Sequence, residues 1–210
     1  MSVLQVDTIQ DSAGTTNKEL AQYSSGNWSW GSGVPTGTIE NQTVIKYAFA
    51  NNGSYSNEGT TEKVATRKNG DDTAVESVSV IGGYTYTYTY NYWCEIWRNS
   101  GGDSSQRYGK IRLLDDSTNR TQGDSSFSGT MDYGMIGRNM FGAQGSSNTS
   151  YIFTSIRGSN YYSSDDTRYI YLTTDPEFSN HRFALYMNST YPMYLVITKI
   201  KGNVLTTRSA

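Results

Sequence analysis

The sequence predicts an all-β protein: an antiparallel two-sheet sandwich preceded by an extended N-terminal arm. Three observations predict it. Ser, Thr and Asn supply 68 of the 210 residues and glycine another 21, a composition of turns and short strands that leaves little room for long helices. The 18 tyrosines and 4 tryptophans stand in for scarce aliphatics, with Leu, Ile, Val and Phe together numbering only 36, and aromatic side chains favour strands. From Thr38 onward the apolar residues recur with period 2, and nearly every gap between periodic segments holds Gly, Asn, Asp or Ser.

Two regions follow from this pattern, an arm over residues 1–37 and a sandwich over 38–210. In the arm, Leu4 to Gln10 reads as extended, Asp11 to Asn17 as a polar turn, and Lys18 to Tyr23 as at most one or two helical turns. Leu4, Val6, Ile9, Leu20, Trp28 and Trp30 are too sparse to bury a core of their own, so the arm is expected to lie on a neighbouring subunit. In the sandwich, Ile39, Asn41, Thr43, Ile45, Tyr47 and Phe49 share one face of the first strand, with Thr38, Glu40, Gln42, Val44 and Lys46 on the other. Asn51 to Gly59 reads as a loop, and Ala74 to Ile81 as the next strand. Gly82-Gly83 opens the longest regular segment, Tyr84 to Arg98; at about 3.3 Å per residue it would reach roughly 50 Å, which predicts a bend or a division between two sheets. Further strands are expected at Tyr108 to Leu114, Met131 to Gly137, Tyr151 to Arg157, Tyr169 to Thr173, Arg182 to Met187 and Tyr194 to Lys201.

The charge balance of 17 Lys+Arg against 19 Asp+Glu argues against a phosphate-binding surface, so no nucleic-acid partner is expected. The N-terminal residues lack a basic and apolar leader, and no 18-residue apolar run occurs; synthesis in a reducing cytosol and no membrane insertion are expected. With one cysteine and one histidine, neither an internal disulfide nor a zinc site of the usual kind is possible. Cys94 reads as a small buried residue and His181 as part of a turn. No catalytic set, metal site or cofactor is expected. The doublets Asp71-Asp72, Asp115-Asp116 and Asp165-Asp166 lack the spacing of a calcium loop and read as solvated turns. Glu95, between Trp93 and Trp97 on one strand face, is an acid that could stand beside a stacked sugar; the plainer reading is a solvated or salt-bridged glutamate.

Tyrosine carries the stronger signal. Tyr84, Tyr86, Tyr88, Tyr90 and Tyr92 point to one side of a strand, and this ladder is expected to pack against a second sheet or to form a subunit interface. Tyr55, Tyr161 and Tyr162, with Asn160, Asp165 and Asp166, are the loop candidates for weak, multivalent binding of a surface glycan.

The stretch from Leu4 to Thr15, Leu-Gln-Val-Asp-Thr-Ile-Gln-Asp-Ser-Ala-Gly-Thr, resembles the N-terminal motif of tail-fibre and other virion proteins of tailed bacteriophages, especially marine and cyanobacterial ones. Tyr194 to Gly202 resembles the closing strand of the jelly-roll domains that follow that motif. Trp97-Arg98-Asn99-Ser100-Gly101 is similar to a strand-turn signature in the middle of those domains, with Ser100 separating Asn99 from Gly101. The resemblance implies a non-enzymatic, homotrimeric virion component made in the host cytoplasm. Its arm would attach to a tail, portal or capsid protein through Leu4, Val6, Ile9, Trp28 and Trp30. A short tail fibre or receptor-binding knob is the first expectation and a capsid decoration or head-fibre protein the second. A free carbohydrate-binding module and a β-sandwich glycosidase or lyase are the readings from other classes.

Overall fold

The computed structural model describes residues 9–10, 17–18, 21–24, 27–30, 36–49, 53–68, 74–98, 107–125, 135–143, 149–176 and 181–205. The first four stretches are described by backbone alone, as are 97–98, 107–108, 140–143, 149–151 and 181. Every regular element among them is a strand. In chain order these are β1 (Ile9–Gln10), β2 (Asn17–Lys18), β3 (Ala21–Ser24), β4 (Asn27–Trp30), β5 (Ile39–Tyr47), β6 (Ser54–Glu58), β7 (Lys63–Val64) and β8 (Glu76–Val80). They continue with β9 (Tyr84–Arg98), β10 (Arg107–Asp116), β11 (Met135–Ala143), β12 (Thr149–Tyr162), β13 (Asp166–Asp175), β14 (His181–Tyr186) and β15 (Met193–Lys201).

Two antiparallel sheets form the sandwich. The 15-residue β9 is the spine of the six-stranded sheet. One edge of β9 pairs along its whole length with β12, from Thr149↔Trp97 to Tyr162↔Tyr84. Its other edge is shared: Tyr84 to Asn91 pair with β15, which in turn pairs with β5, while Trp93 to Arg98 pair with β14, which pairs with β6. The expected division of this long segment between two sheets is therefore corrected; it stays in one sheet and changes partner at Tyr92. The five-stranded sheet runs β11-β10-β13, with β8 and β7 side by side along the far edge of β13.

The inward residues of β9 are the tyrosines. Tyr86 is 4% exposed and Tyr88, Tyr90 and Tyr92 are fully buried, packed with Ile111, Leu113, Ile170, Leu172, Phe183, Leu185 and Leu195 of both sheets. Each hydroxyl in this core finds a partner, as burial of a phenol requires. Tyr90 donates to the Ile170 carbonyl at 3.1 Å, Tyr86 accepts from the Ile81 N–H at 3.0 Å, Asn139 donates to Tyr92 at 3.1 Å, and Tyr88 and Tyr162 share a bond of 3.2 Å. The second sheet of the same chain covers this face, so Tyr86, Tyr88, Tyr90 and Tyr92 are not the subunit interface expected from sequence; Tyr84, half-buried at the end of the ladder, stacks under the Lys199 ammonium.

The sandwich is closed on one side and open on the other. Where β11 and β12 meet, a Cβ on Gly137 would stand 2.7 Å from the Arg157 carbonyl oxygen and one on Gly158 would stand 2.6 Å from that of Ile136, so only glycine lets the two sheet edges approach. On the far side β5 and β8 do not meet. A cleft of about 400 Å³ enters there between Thr43 and Ile45 of one sheet and Ser77 and Val78 of the other. A bulge opposite Lys199 and Ile200 turns Ile39 to the outer face, where it is 59% exposed, instead of onto the Ile45 and Tyr47 side.

Other boundaries also differ from the sequence reading. Residues 54–58, expected as loop, form β6, whose inward positions are the half-buried Tyr55 and the buried Asn57; the Asn57 amide donates to the Thr61 and Thr174 carbonyls at 2.9 and 2.7 Å, so an apolar alternation is absent. β12 continues to Tyr162, five residues beyond Arg157. β14 begins at His181, which is strand and not turn. In the arm, the expected helical turns are replaced by strands: β1 pairs with β2 and β3 with β4 as two local two-stranded sheets. Leu4, Val6, Leu20 and Asp71-Asp72 lie outside the described residues, as do the side chains of Ile9, Trp28, Trp30, Trp97 and His181.

Candidate functional site

The outer face of the six-stranded sheet carries the site. With the tyrosines turned inward, period 2 sends Thr85, Thr87, Thr89, Asn91, Trp93 and Glu95 of β9 outward. Register then brings Phe153 of β12 beside Trp93 on one edge and Tyr186 of β14 on the other. Tyr191, in the turn between β14 and β15, completes the group. Its backbone N–H and that of Thr190 donate to the Asn188 side-chain oxygen at 2.8 and 3.0 Å, which fixes the turn and aims the ring back over the sheet.

These four rings form a continuous cluster. Trp93 lies 5.1 Å from Phe153 and 5.3 Å from Tyr191, and Tyr191 lies 5.5 Å from Tyr186, all tilted. Phe153 is 55% exposed. Glu95 is buried at the foot of the cluster and accepts the Tyr186 hydroxyl. Below the rings the same face opens into a shallow groove of about 310 Å³, walled by Ile39, Val196 and Ile200 on its apolar side and by Thr87, Thr89, Arg157 and Thr198 on its polar side, and flanked by Gln42, whose amide donates to the Thr198 hydroxyl at 3.2 Å. Aromatic rings above and hydroxyls, an amide and a guanidinium below make one amphipathic strip along β9.

The loop candidates from sequence do not assemble. Tyr162 is buried at the inter-sheet end of β12 and donates to Asp115, and Asn160 donates to the same carboxyl at 2.9 Å. Asp115 is only 1% exposed and is paired with Arg168 at 2.7 Å, so this network holds the two sheets together. Asp165 accepts the Gly82 N–H at 2.8 Å and Asp166 pairs with Arg168 at 3.3 Å. Tyr161 points out beside Thr85, whereas Tyr55 is half-buried against the core in β6. Tyr55 is level with Cys94 through Leu185, so the two tyrosines are nine residues apart along β9, about 30 Å. The glycan site drawn from Tyr55, Asn160, Tyr161, Tyr162, Asp165 and Asp166 is corrected on these grounds. Asp115-Asp116 end β10 and are not a solvated turn.

Cys94 is fully buried, and burial pushes its thiol up to about 12, as expected of a small core residue. Among the described residues no three His, Cys, Asp or Glu side chains converge as metal ligands, and no helix is long and apolar enough to cross a membrane. Trp93 and Glu95 were legible as a pair in sequence. Phe153, Tyr186 and Tyr191 were not singled out; the available signal was Phe153 on the otherwise polar side of Ser155 and Arg157.

No family model matches the chain, and no curated protein matches it. Among solved structures it is similar to the CBM22-1-GH10 modules of endo-1,4-beta-D-xylanase 10B of Clostridium thermocellum, complexed with xylohexaose, at 11% identity and a TM-score of 0.32 over 82% of this chain and 29% of that one. A CocE/NonD family hydrolase of Staphylococcus aureus gives 10% identity and a TM-score of 0.38 over 86% and 40%. The decameric BFDV capsid protein gives 7% and 0.21 over 78% and 100%. The chain thus spans well under half the length of the two bacterial enzymes.

Proposed function

We propose that this chain is a non-enzymatic structural protein of a tailed-phage particle, a short tail fibre or receptor-binding knob, attached through residues 1–37 and presenting the sandwich outward. The observation that carries the reading is the juxtaposition of the virion-like motif at Leu4 to Thr15 with a sandwich whose broad six-stranded face carries the exposed Phe153 beside the half-buried rings of Trp93, Tyr186 and Tyr191. The titratable groups of the interior are spent on structure: Asp115 on Arg168 and Tyr162, Glu62 on Arg112 and Thr173, Glu76 on Tyr47. Recognition by a rigid sandwich needs only an exposed face. Host attachment is the role that gives this face a ligand, and a trimer would present it in three copies.

The test has two parts. Mass spectrometry of purified particles should find the protein, and particles carrying Trp93→Ala should assemble but adsorb to host cells several-fold more slowly. Absence of the protein from particles, or wild-type adsorption by the variant, would reject the proposal.

A further inference from the structure

We infer that the outer face of the six-stranded sheet binds an acidic saccharide, with Trp93 and Phe153 as the stacking platform and Arg157 and Lys46 as the groups that meet its carboxylates. The inference rests on the reading of this face as the recognition surface, and it names the ligand class.

The platform comes first. Flat rings left on the outside of a sheet, with one more than half exposed, are costly in water unless a ligand covers them. The negative face of an aromatic ring attracts the weakly positive C–H edges on one side of a pyranose, while the sugar's rim of hydroxyls needs donors and acceptors beside the ring. Tyr186 and Tyr191 bring hydroxyls to the cluster, and the Tyr186 hydroxyl is held by Glu95. Thr87, Thr89 and Thr198 continue the polar lining into the groove.

Charge then selects the class. The chain as a whole is at -2, yet the described part of this face holds two exposed cations with no acid beside them. Glu95 is buried and taken by Tyr186, and Glu58 faces Arg182 at 3.8 Å. Arg157 and Lys46 are exposed, and among the described residues neither makes an ion pair. Arg157 is four residues from Phe153 on the same side of β12, roughly 13 Å away, so a saccharide of more than one unit can stack on the rings and reach the guanidinium. A guanidinium meets a carboxylate through two parallel hydrogen bonds. A neutral glycan would leave both cations unused. A protein partner would call for an apolar centre wider than this strip of rings.

Affinity electrophoresis of the full-length protein tests this in gels containing alginate, polygalacturonate or colominic acid, with dextran as the neutral control. At least one acidic polymer should retard the protein, the retardation should weaken as salt is raised, and dextran should have no effect. Arg157→Ala and Phe153→Ala should each lower the apparent affinity about tenfold, while Asp166→Asn, on the other sheet, should leave it unchanged. Phe153 is exposed enough that its removal leaves the fold intact, and a thermal melt checks this. Retardation by none of the acidic polymers, equal retardation by dextran, or undiminished retardation of folded Phe153→Ala would each overturn the inference. No retardation together with slowed adsorption of Trp93→Ala particles would sink the acidic-saccharide inference and leave host attachment standing. Retardation by an isolated protein that is missing from particles would do the reverse.

Discussion

A phenol in a protein interior keeps its proton, and this chain buries an unusual number of them. Burial above all raises the pKa of Tyr88, Tyr90, Tyr92 and Tyr162 well beyond the ordinary tyrosine value, and for Tyr162 the neighbouring Asp115 adds to it. The folded state therefore holds protons that the unfolded chain releases above about pH 10. Stability from these groups is complete below that pH and is lost as the pH climbs past it, by about 1.4 kcal/mol per pH unit for each such tyrosine. Urea midpoints measured from pH 8 to 11 should be flat to about pH 9.5 and then fall steeply, and Tyr88→Phe should make the alkaline fall shallower. The same chemistry explains Glu62. Burial raises its pKa despite the Thr173 hydroxyl and the Arg112 guanidinium, which both lower it. Arg112→Met would leave that carboxyl buried without its cation, and a loss of about 3–5 kcal/mol in chemical denaturation is expected.

At the level of the strand, β9 does the organising, because among the described residues it alone pairs with both halves of its sheet. Its inward tyrosines make the core and its outward Trp93 and Glu95 belong to the proposed recognition face, so one period-2 pattern serves two purposes. The contact between β11 and β12 depends on the absence of side chains at Gly137 and Gly158. Gly158→Val should cost about 1–3 kcal/mol by overpacking, read as a melting point lower by roughly 2–4 °C per kcal/mol; an unchanged melting point would show that the two edges separate freely. The Asn188 turn is the second device, since it holds Tyr191 over Trp93 without contributing a strand residue.

For the whole molecule, the asymmetry of the sandwich sets where contacts with other chains can form. The β11/β12 side is shut, while among the described residues no strand pairs with the outer edge of the nine-residue β5, where Ile39 and Val44 are 59% and 58% exposed. Such an edge invites pairing or cover by another chain, which supports the proposed homotrimer on grounds other than the tyrosine ladder. Multi-angle light scattering should then give three times the 23.3 kDa chain mass, and a monomer at micromolar concentration would reject the trimer. The apolar residues of 1–30 are too sparse in the sequence to build a core. Removal of residues 1–30 should leave the melting point within about 2 °C and abolish incorporation into particles; retained incorporation would show that the arm is not the attachment segment.

The sequence by itself determined the class of fold and most of the strands, because alternation with period 2 between glycine- and asparagine-rich turns admits few other arrangements. It also determined that the tyrosines of β9 share one face and that Trp93 and Glu95 share the other. Alternation, however, says which residues lie together and not what covers them. Only the tertiary structure decided that the five-stranded sheet lies over the tyrosines, which removed them as a subunit interface and left the opposite face of β9 outward. Local pattern also missed β6, where hydrogen bonds of Asn57 replace apolar burial, and the bulge that turns Ile39 outward. The aromatic cluster was beyond its reach for a related reason. Trp93, Phe153, Tyr186 and Tyr191 come together only when β12 and β14 pair with opposite edges of β9, and pairings between strands tens of residues apart are set by the register of the whole sheet.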